Sequence, residues 1–212
     1  MNKFSKHIEP NRSIFASDPF GYSAFARQML GMASTSAGFP VDITKPATSD
    51  ELKNPILWLS QAHALSEAAV AVLRKDQDFE SMPVLIRGVC DSQYCAVGLM
   101  LVGYSLETCL KSMIIMKEGI EGYKAMEAQN RHHRLHQLAT FIPDLNEKEL
   151  AILRGLTHFV YWAGRYPDPG SGKENDAEDI FKISEKYKIS AHDVFKLSDK
   201  IMKHTIKITN NI

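Results

Sequence analysis

The sequence predicts an all-α protein, an antiparallel helical bundle with an irregular N-terminal arm, and three observations carry that prediction. The first is the stretch Tyr94 to Lys117, where Leu99, Val102, Leu106, Leu110 and Met113 follow one another at spacings of three and four. That is the period of a buried helical stripe. The second is a set of local helix-start signals, Asn54-Pro55 and an Asn146 followed by Glu149 three residues on. The third is the lack of any run of alternating apolar and polar residues of strand length, or of any internal repeat.

Composition narrows the class. The chain has 212 residues with 44% apolar and 24% charged side chains, as a soluble domain with a full core requires. Its formal net charge is zero, which excludes polyanion binding by bulk field and leaves a local basic patch as the route to nucleic acid. The three cysteines, Cys90, Cys95 and Cys109, show no C-x-x-C spacing and read as reduced thiols. The opening residues carry scattered charges and no apolar h-region. The longest apolar run, Tyr94 to Leu106, holds about 13 residues, short of the roughly 18–20 that span a bilayer. The expectation is a cytoplasmic protein with no membrane partner.

In chain order, residues 1–50 are punctuated by Pro10, Pro19, Gly31, Gly38, Pro40 and Pro46 and read as an arm. One short helix is expected there after Asp18-Pro19, through Phe20, Ala24, Phe25 and Met29. Residues 51–212 form the helical domain. Asn54-Pro55 opens a helix to about Lys75. Met82 to Ile86 is a short apolar bridge, and Asp91 or Ser92 caps the central helix, which stops at Gly119. A short helical stretch from Glu121 to Gln129 leads to Arg-His-His-Arg-Leu-His, Arg131 to His136, the most basic spot in the chain. His136 to Phe141 is a short helix stopped by Pro143. Asn146 caps a long helix to about Ala163, with Gly164 as its stop. Two amphipathic helices, about Asp176–Tyr187 and Ala191–Ile208, close the chain.

Two polar features stand out. Glu107 and Lys111 lie four apart in the apolar central helix with the acid first, the favourable order for a helical ion pair. A carboxylate so placed needs partners, and an arginine of the Asn146–Arg165 helix is the expected second one. On that helix, Ile152, Leu153, Leu156, Phe159 and Val160 gather on one side at 100° per residue. Arg154, His158 and Arg165 fall near one line opposite, flanked by Tyr161 and Trp162. Such a row suits a phosphate with a stacked base, or simply the wet face of an amphipathic helix.

Other chemistry finds little support. His132, His133 and His136 have no nearby cysteine, and Glu127 is the only close acid, so no metal and no cofactor is expected. Gly170-Ser171-Gly172-Lys173 lacks the strand and the spacing of a phosphate loop. Met113, Met116 and Met126 read as core filler.

Three stretches carry a resemblance. Gly103 to Ile115, Gly-Tyr-Ser-Leu-Glu-Thr-Cys-Leu-Lys-Ser-Met-Ile-Ile, resembles the helix of HEPN-type domains in which a leucine, a glutamate and a Leu-Lys pair recur at this spacing. His136-Gln137-Leu138 resembles their His-x-Leu element, and Trp162-Ala163-Gly164-Arg165-Tyr166-Pro167 looks like the ending of one bacterial branch. The likeness covers about residues 90–170. It implies an antiparallel helical bundle, often dimeric, from a superfamily associated with RNA, defence and toxin–antitoxin systems. Active members are metal-independent ribonucleases using Arg-x(4–6)-His, with arginine neutralising the phosphate and histidine moving the proton of the attacking 2′-hydroxyl. Here the matching helix offers Arg154 and His158 with three residues between them, one fewer than that spacing, at positions four apart on one helical face. Arg131 and His136 have four between them but precede that helix.

The resulting expectation is binding of RNA or a nucleotide through Arg154, His158, Trp162 and Arg165, with Tyr166, Arg131 and His136 as further binding residues. Ribonuclease activity by Arg154 and His158 is the narrower extension. The alternative is a non-enzymatic helical interaction module, a homodimer or the partner of a nucleotidyltransferase-like protein. A small-molecule pocket lined by Trp162 and Tyr166 stays open as a third reading.

Overall fold

In a computed structural model, residues 10–210 are described, and every regular element among them is helical. The chain divides into two compact units, one ending at Leu57 and the other beginning at Trp58.

The first unit is more ordered than an arm. Helix α1 (Arg12–Ser17) is capped by Asn11, whose side chain accepts from the Ser13 amide. Asp18 accepts from the Gly21 amide at 2.8 Å and caps α2 (Pro19–Ala24), as the Asp-Pro pair predicts. Instead of one helix running through Met29, the chain turns at Phe25 and starts α3 (Ala26–Ser36). Arg27 then ties the following loop down, donating to the Lys45 carbonyl and to Glu51, both at 3.0 Å. Thr48 and Glu51 form a capping box on α4 (Ser49–Leu52). The first nine residues of the expected arm lie outside the described residues.

The remaining helices are α5 (Pro55–Arg74), α6 (Arg87–Ala125), α7 (Glu127–Asn130), α8 (Leu135–Leu138), α9 (Glu147–His158), a π-helical turn (Phe159–Ala163), α10 (Glu174–Tyr187) and α11 (Ala191–Thr209). Asn54 accepts from the Ile56 amide at 2.9 Å and starts α5. Asn146 with Glu149, and Ser190 with Asp193, form complete capping boxes on α9 and α11. Central helix α6 begins at Arg87, earlier than the Asp91 or Ser92 cap expected. The Arg87 guanidinium holds the preceding turn by donating to the Met82 and Glu80 carbonyls. Its regular path breaks at Gly119, where φ is +70°, a conformation open to glycine at no steric cost. Helical hydrogen bonding then resumes to Ala125.

Helix α6 is the core of the second unit. Val102, Leu106, Leu110 and Met113 are buried as the stripe predicts, and so are Cys109, Ile114 and Ile115 on other bearings. A helix buried on so many sides needs small polar groups satisfied internally. Ser105 accordingly donates to the Ala62 carbonyl of α5 at 2.7 Å, and Cys109 Sγ meets Thr205 Oγ1 of α11 at 3.5 Å. Two stretches, Ser49–Arg74 and Val84–Ala125, are long and apolar enough to cross a membrane by length and composition. The apolar window of the second is 56% buried and serves as core, while that of the first is 11% buried. Counting from the sequence stopped at Glu107 and missed both.

Candidate functional site

The site is built where α9 runs into its π-helical turn. The Gly164 amide donates to the Phe159 carbonyl at 3.1 Å, a bond across five residues that widens the helix. Two glycines make room for it against α6. A Cβ on Gly103 would sit 2.4 Å from Val160 Cγ2, and one on Gly164 would sit 2.4 Å from Met100 Cβ and 3.0 Å from the Ala96 carbonyl. The chain therefore approaches α6 more closely than any side chain permits. Tyr104 Oη reaches the Val160 carbonyl from α6 at 3.5 Å.

This turn changes the predicted row of Arg154, His158 and Arg165. The regular α path ends at His158, so Arg165 leaves the line. Its guanidinium donates to the Tyr161 carbonyl and lies 5.5 Å from the Tyr166 ring. Arg165 does not line the cleft described below, and neither does Arg131, which stays exposed after α7.

The basic stretch before α8 is fixed on two sides. Leu135 donates its amide to Thr157 Oγ1 at 3.2 Å, and that hydroxyl donates to the Leu153 carbonyl at 2.8 Å. Leu135 and Leu138 are buried beneath. His133 is held edge-on to the Tyr104 and Tyr161 rings, with centroids 6.0 and 5.3 Å away. Its Nδ1 lies 2.8 Å from Glu107 Oε2, while Lys111 Nζ donates to Glu107 Oε1 at 2.7 Å. The Glu107–Lys111 pair is thus present, but the expected arginine partner from α9 is not; His133 takes that place. The reason is steric and sequential: His133 meets Tyr104 of α6 and Tyr161 of the π turn together, and so stands beside the carboxylate.

These supports frame a cleft of about 790 Å³. Arg134 and His136, with Arg154, Thr157 and His158 of α9, line one part of it. Tyr161, Trp162 and Tyr166 supply aromatic surface, and the loop and α10 contribute Asp168, Lys173, Asp176 and Asp179. Of the residues singled out in the sequence, Arg154, His158, Trp162, Tyr166 and His136 meet here. Arg134, Thr157, Lys173 and the three aspartates were not foreseen. Arg134 stood in the basic stretch and was readable by its place two residues before His136. The aspartates carried no signal, because Asp168 lies in a loop whose path is set by tertiary contacts, and Asp176 and Asp179 lie just after it.

The electrostatics are uneven. Burial lowers the His136 pKa, and the Arg154 and Arg134 guanidiniums and His132 push it further down, so His136 is neutral near pH 7. Among the described residues neither Arg134 nor Arg154 pairs with a carboxylate; Arg154 makes only a long bond to its own helix, to the Leu150 carbonyl at 3.4 Å. His158 Nε2 lies 3.1 Å from Asp179 Oδ2. His136 Nδ1 and Trp162 Nε1 are buried without a hydrogen-bond partner. Buried polar atoms of this kind are satisfied by water or a ligand. Among the described residues no three His, Cys, Asp or Glu side chains gather in a way that would hold a metal ion.

Chemically, the arrangement offers two free guanidiniums for an anion, π-faces for a flat group, one neutral imidazole beside the cations and one imidazole held by a carboxylate. No family model matches the chain, nor does any curated protein or solved structure.

Proposed function

We propose that this chain is a HEPN-like helical protein that binds RNA or a nucleotide in the cleft, in a bacterial defence or toxin–antitoxin setting. One observation carries the binding reading: Arg154, His158, Trp162, Tyr166 and His136 come from separate helices and a loop yet line the same cleft. Guanidiniums neutralise phosphate, and aromatic faces stack bases with little sequence preference. The resemblance of Gly103–Ile115, His136–Leu138 and Trp162–Pro167 supplies the family and the setting. Ribonuclease activity is the extension, with Arg154 at the phosphate and a histidine moving the 2′-hydroxyl proton. Fluorescence anisotropy with a labelled single-stranded RNA at low salt is the test. Binding that weakens about tenfold or more in Arg154→Ala supports the reading; no binding at low salt, where phosphate contacts are strongest, overturns it. RNA cleavage that persists in EDTA and is lost in His158→Ala would add the enzyme.

A second reading has its own observation. Val84, Leu85, Ile86 and Val89 are exposed together around the start of α6, Leu85 by 95%. Clusters of this kind mark interaction surfaces, which favours a homodimer or a protein partner. Sedimentation of wild type against Leu85→Asp distinguishes it: a dimer that dissociates supports this reading, and a monomer throughout removes the homodimer.

A further inference from the structure

The cleft is not uniformly basic. Arg134, Arg154 and Lys173 bring three cations to it, while Asp168, Asp176 and Asp179 bring three carboxylates, and His136 is neutral. The two guanidiniums and the three carboxylates come from different elements, with Lys173 on the carboxylates' side at the start of α10. Both guanidiniums stand on the α8 and α9 side, flanking His136, whereas all three carboxylates come from the 166–170 loop and the first turns of α10. The two sides meet where His158 contacts Asp179. A strand of many phosphates passing through would gain from the first side and be repelled by the second. A ligand with one phosphate at one end and hydroxyl or amine donors at the other satisfies both.

We infer that the cleft takes a single ribonucleotide, free or at the phosphorylated end of a strand, with Arg134 and Arg154 on its phosphate and Asp168 and Asp176 on its ribose hydroxyls. This rests on the proposed nucleotide-binding reading and narrows it. Carboxylates accept well from the vicinal hydroxyls of ribose. Asp179 is engaged by His158, but Asp168 uses only Oδ1, on the Gly170 amide at 2.6 Å, and the Asp176 side chain makes no hydrogen bond or ion pair among the described residues. The volume of about 790 Å³ suits one nucleotide. Trp162 contributes a π-face and an unpartnered indole donor, and His136 an unpartnered ring nitrogen. Each of these finds a partner on a nucleotide base or phosphate.

The experiment reads Trp162 directly. The chain has two tryptophans, so Trp58→Phe leaves Trp162 as the sole indole reporter. That protein is titrated with adenosine 5′-monophosphate, its 2′-deoxy counterpart, inorganic phosphate, and a short single-stranded RNA with either a 5′-phosphate or a 5′-hydroxyl. The ribonucleotide should quench Trp162 and bind about fivefold or more tighter than the deoxynucleotide, the worth of one hydrogen bond. Asp176→Asn and Asp168→Asn should erase that ratio without weakening inorganic phosphate, and circular dichroism should show both folded. The 5′-phosphorylated RNA should outcompete the 5′-hydroxyl RNA. Equal affinity for ribo and deoxy forms, or for RNA with and without the terminal phosphate, overturns the inference while leaving RNA binding intact. Failure of every nucleotide and RNA to bind overturns the underlying reading as well.

Discussion

Glu107 of the central helix lies 2.8 Å from His133 Nδ1, and through that contact α6 holds the basic segment that lines the cleft. An ionised carboxylate only accepts, so Nδ1 carries the proton. The Glu107 side chain is 8% exposed and that of Lys111 12%, so neither charge is well hydrated. Removing the acid alone leaves a poorly solvated ammonium and a histidine without its anchor. Glu107→Ala should cost about 3 kcal/mol, and Glu107→Gln, which keeps an acceptor, about 1–2 kcal/mol. Urea unfolding of the three proteins checks the order.

The two tight glycines give a second prediction. At Gly103 the clashing atom is a methyl of Val160, with the Leu156 carbonyl at 3.3 Å behind it; at Gly164 it is Met100 Cβ and the Ala96 carbonyl. Shortening Val160 removes the sharper contact at Gly103 but leaves the tight one to the Leu156 carbonyl, whereas at Gly164 both Met100 Cβ and the Ala96 carbonyl must move. Gly103→Ala should destabilise by about 1–3 kcal/mol, as overpacking does. Adding Val160→Ala should recover little of it at best, because the second change opens its own space elsewhere around Val160. Gly164→Ala should in addition weaken ligand binding, since it displaces the turn that carries Trp162. Thermal melts paired with Trp162 fluorescence separate the two outcomes.

What the sequence exposed was whatever is decided locally. The caps at Asn54, Asn146 and Ser190 and the stripe from Val102 to Met113 depend on neighbours within a few residues, and all are present. The π turn was not readable because Gly103 and Gly164 act across the packing between α6 and the end of α9, and neither glycine looks unusual on its own helix. Glu107 was assigned an arginine because charge alone was weighed, whereas the Tyr104 and Tyr161 rings decide which side chain stands beside it. Arg165 followed from assuming a regular helix for one turn too many. Asp179 reaches His158 only once the 164–173 loop has folded back.

His136 makes stability pH-dependent in a definite direction. Its folded pKa lies below the ordinary value near 6.5, with burial the largest cause, then Arg154 and Arg134. The unfolded chain therefore binds this proton first as pH falls. Stability is unaffected above the unfolded pKa and is lost progressively below it, until the folded pKa is reached. His132 and His204 are lowered too, burial again being the first cause, and add in the same sense. The urea midpoint should drop between about pH 7.5 and pH 5.5. His136→Gln should flatten that slope, and Arg154→Ala should flatten it partly by removing one of the opposing charges. Bound phosphate should flatten it as well, because an anion beside His136 favours its protonated form.

Thr157 ties the same segment to α9 and separates anchoring from charge. Its hydroxyl accepts from the Leu135 amide and donates to the Leu153 carbonyl, so one small group satisfies a donor at the start of α8 and docks it. Thr157→Val keeps the shape and removes both bonds. The Leu135 amide then loses its acceptor beside a fully buried leucine, which should cost about 1–3 kcal/mol. Arg134 and His136 flank Leu135 and should lose their fixed placement, so ligand affinity should fall although no charge has changed. Thr157→Ser retains the hydroxyl and should restore most of that affinity. Titration of ligand against the three proteins, with amide hydrogen exchange at Leu135, decides it: fast exchange with unchanged affinity in Thr157→Val would mean that α8 does not position the binding residues.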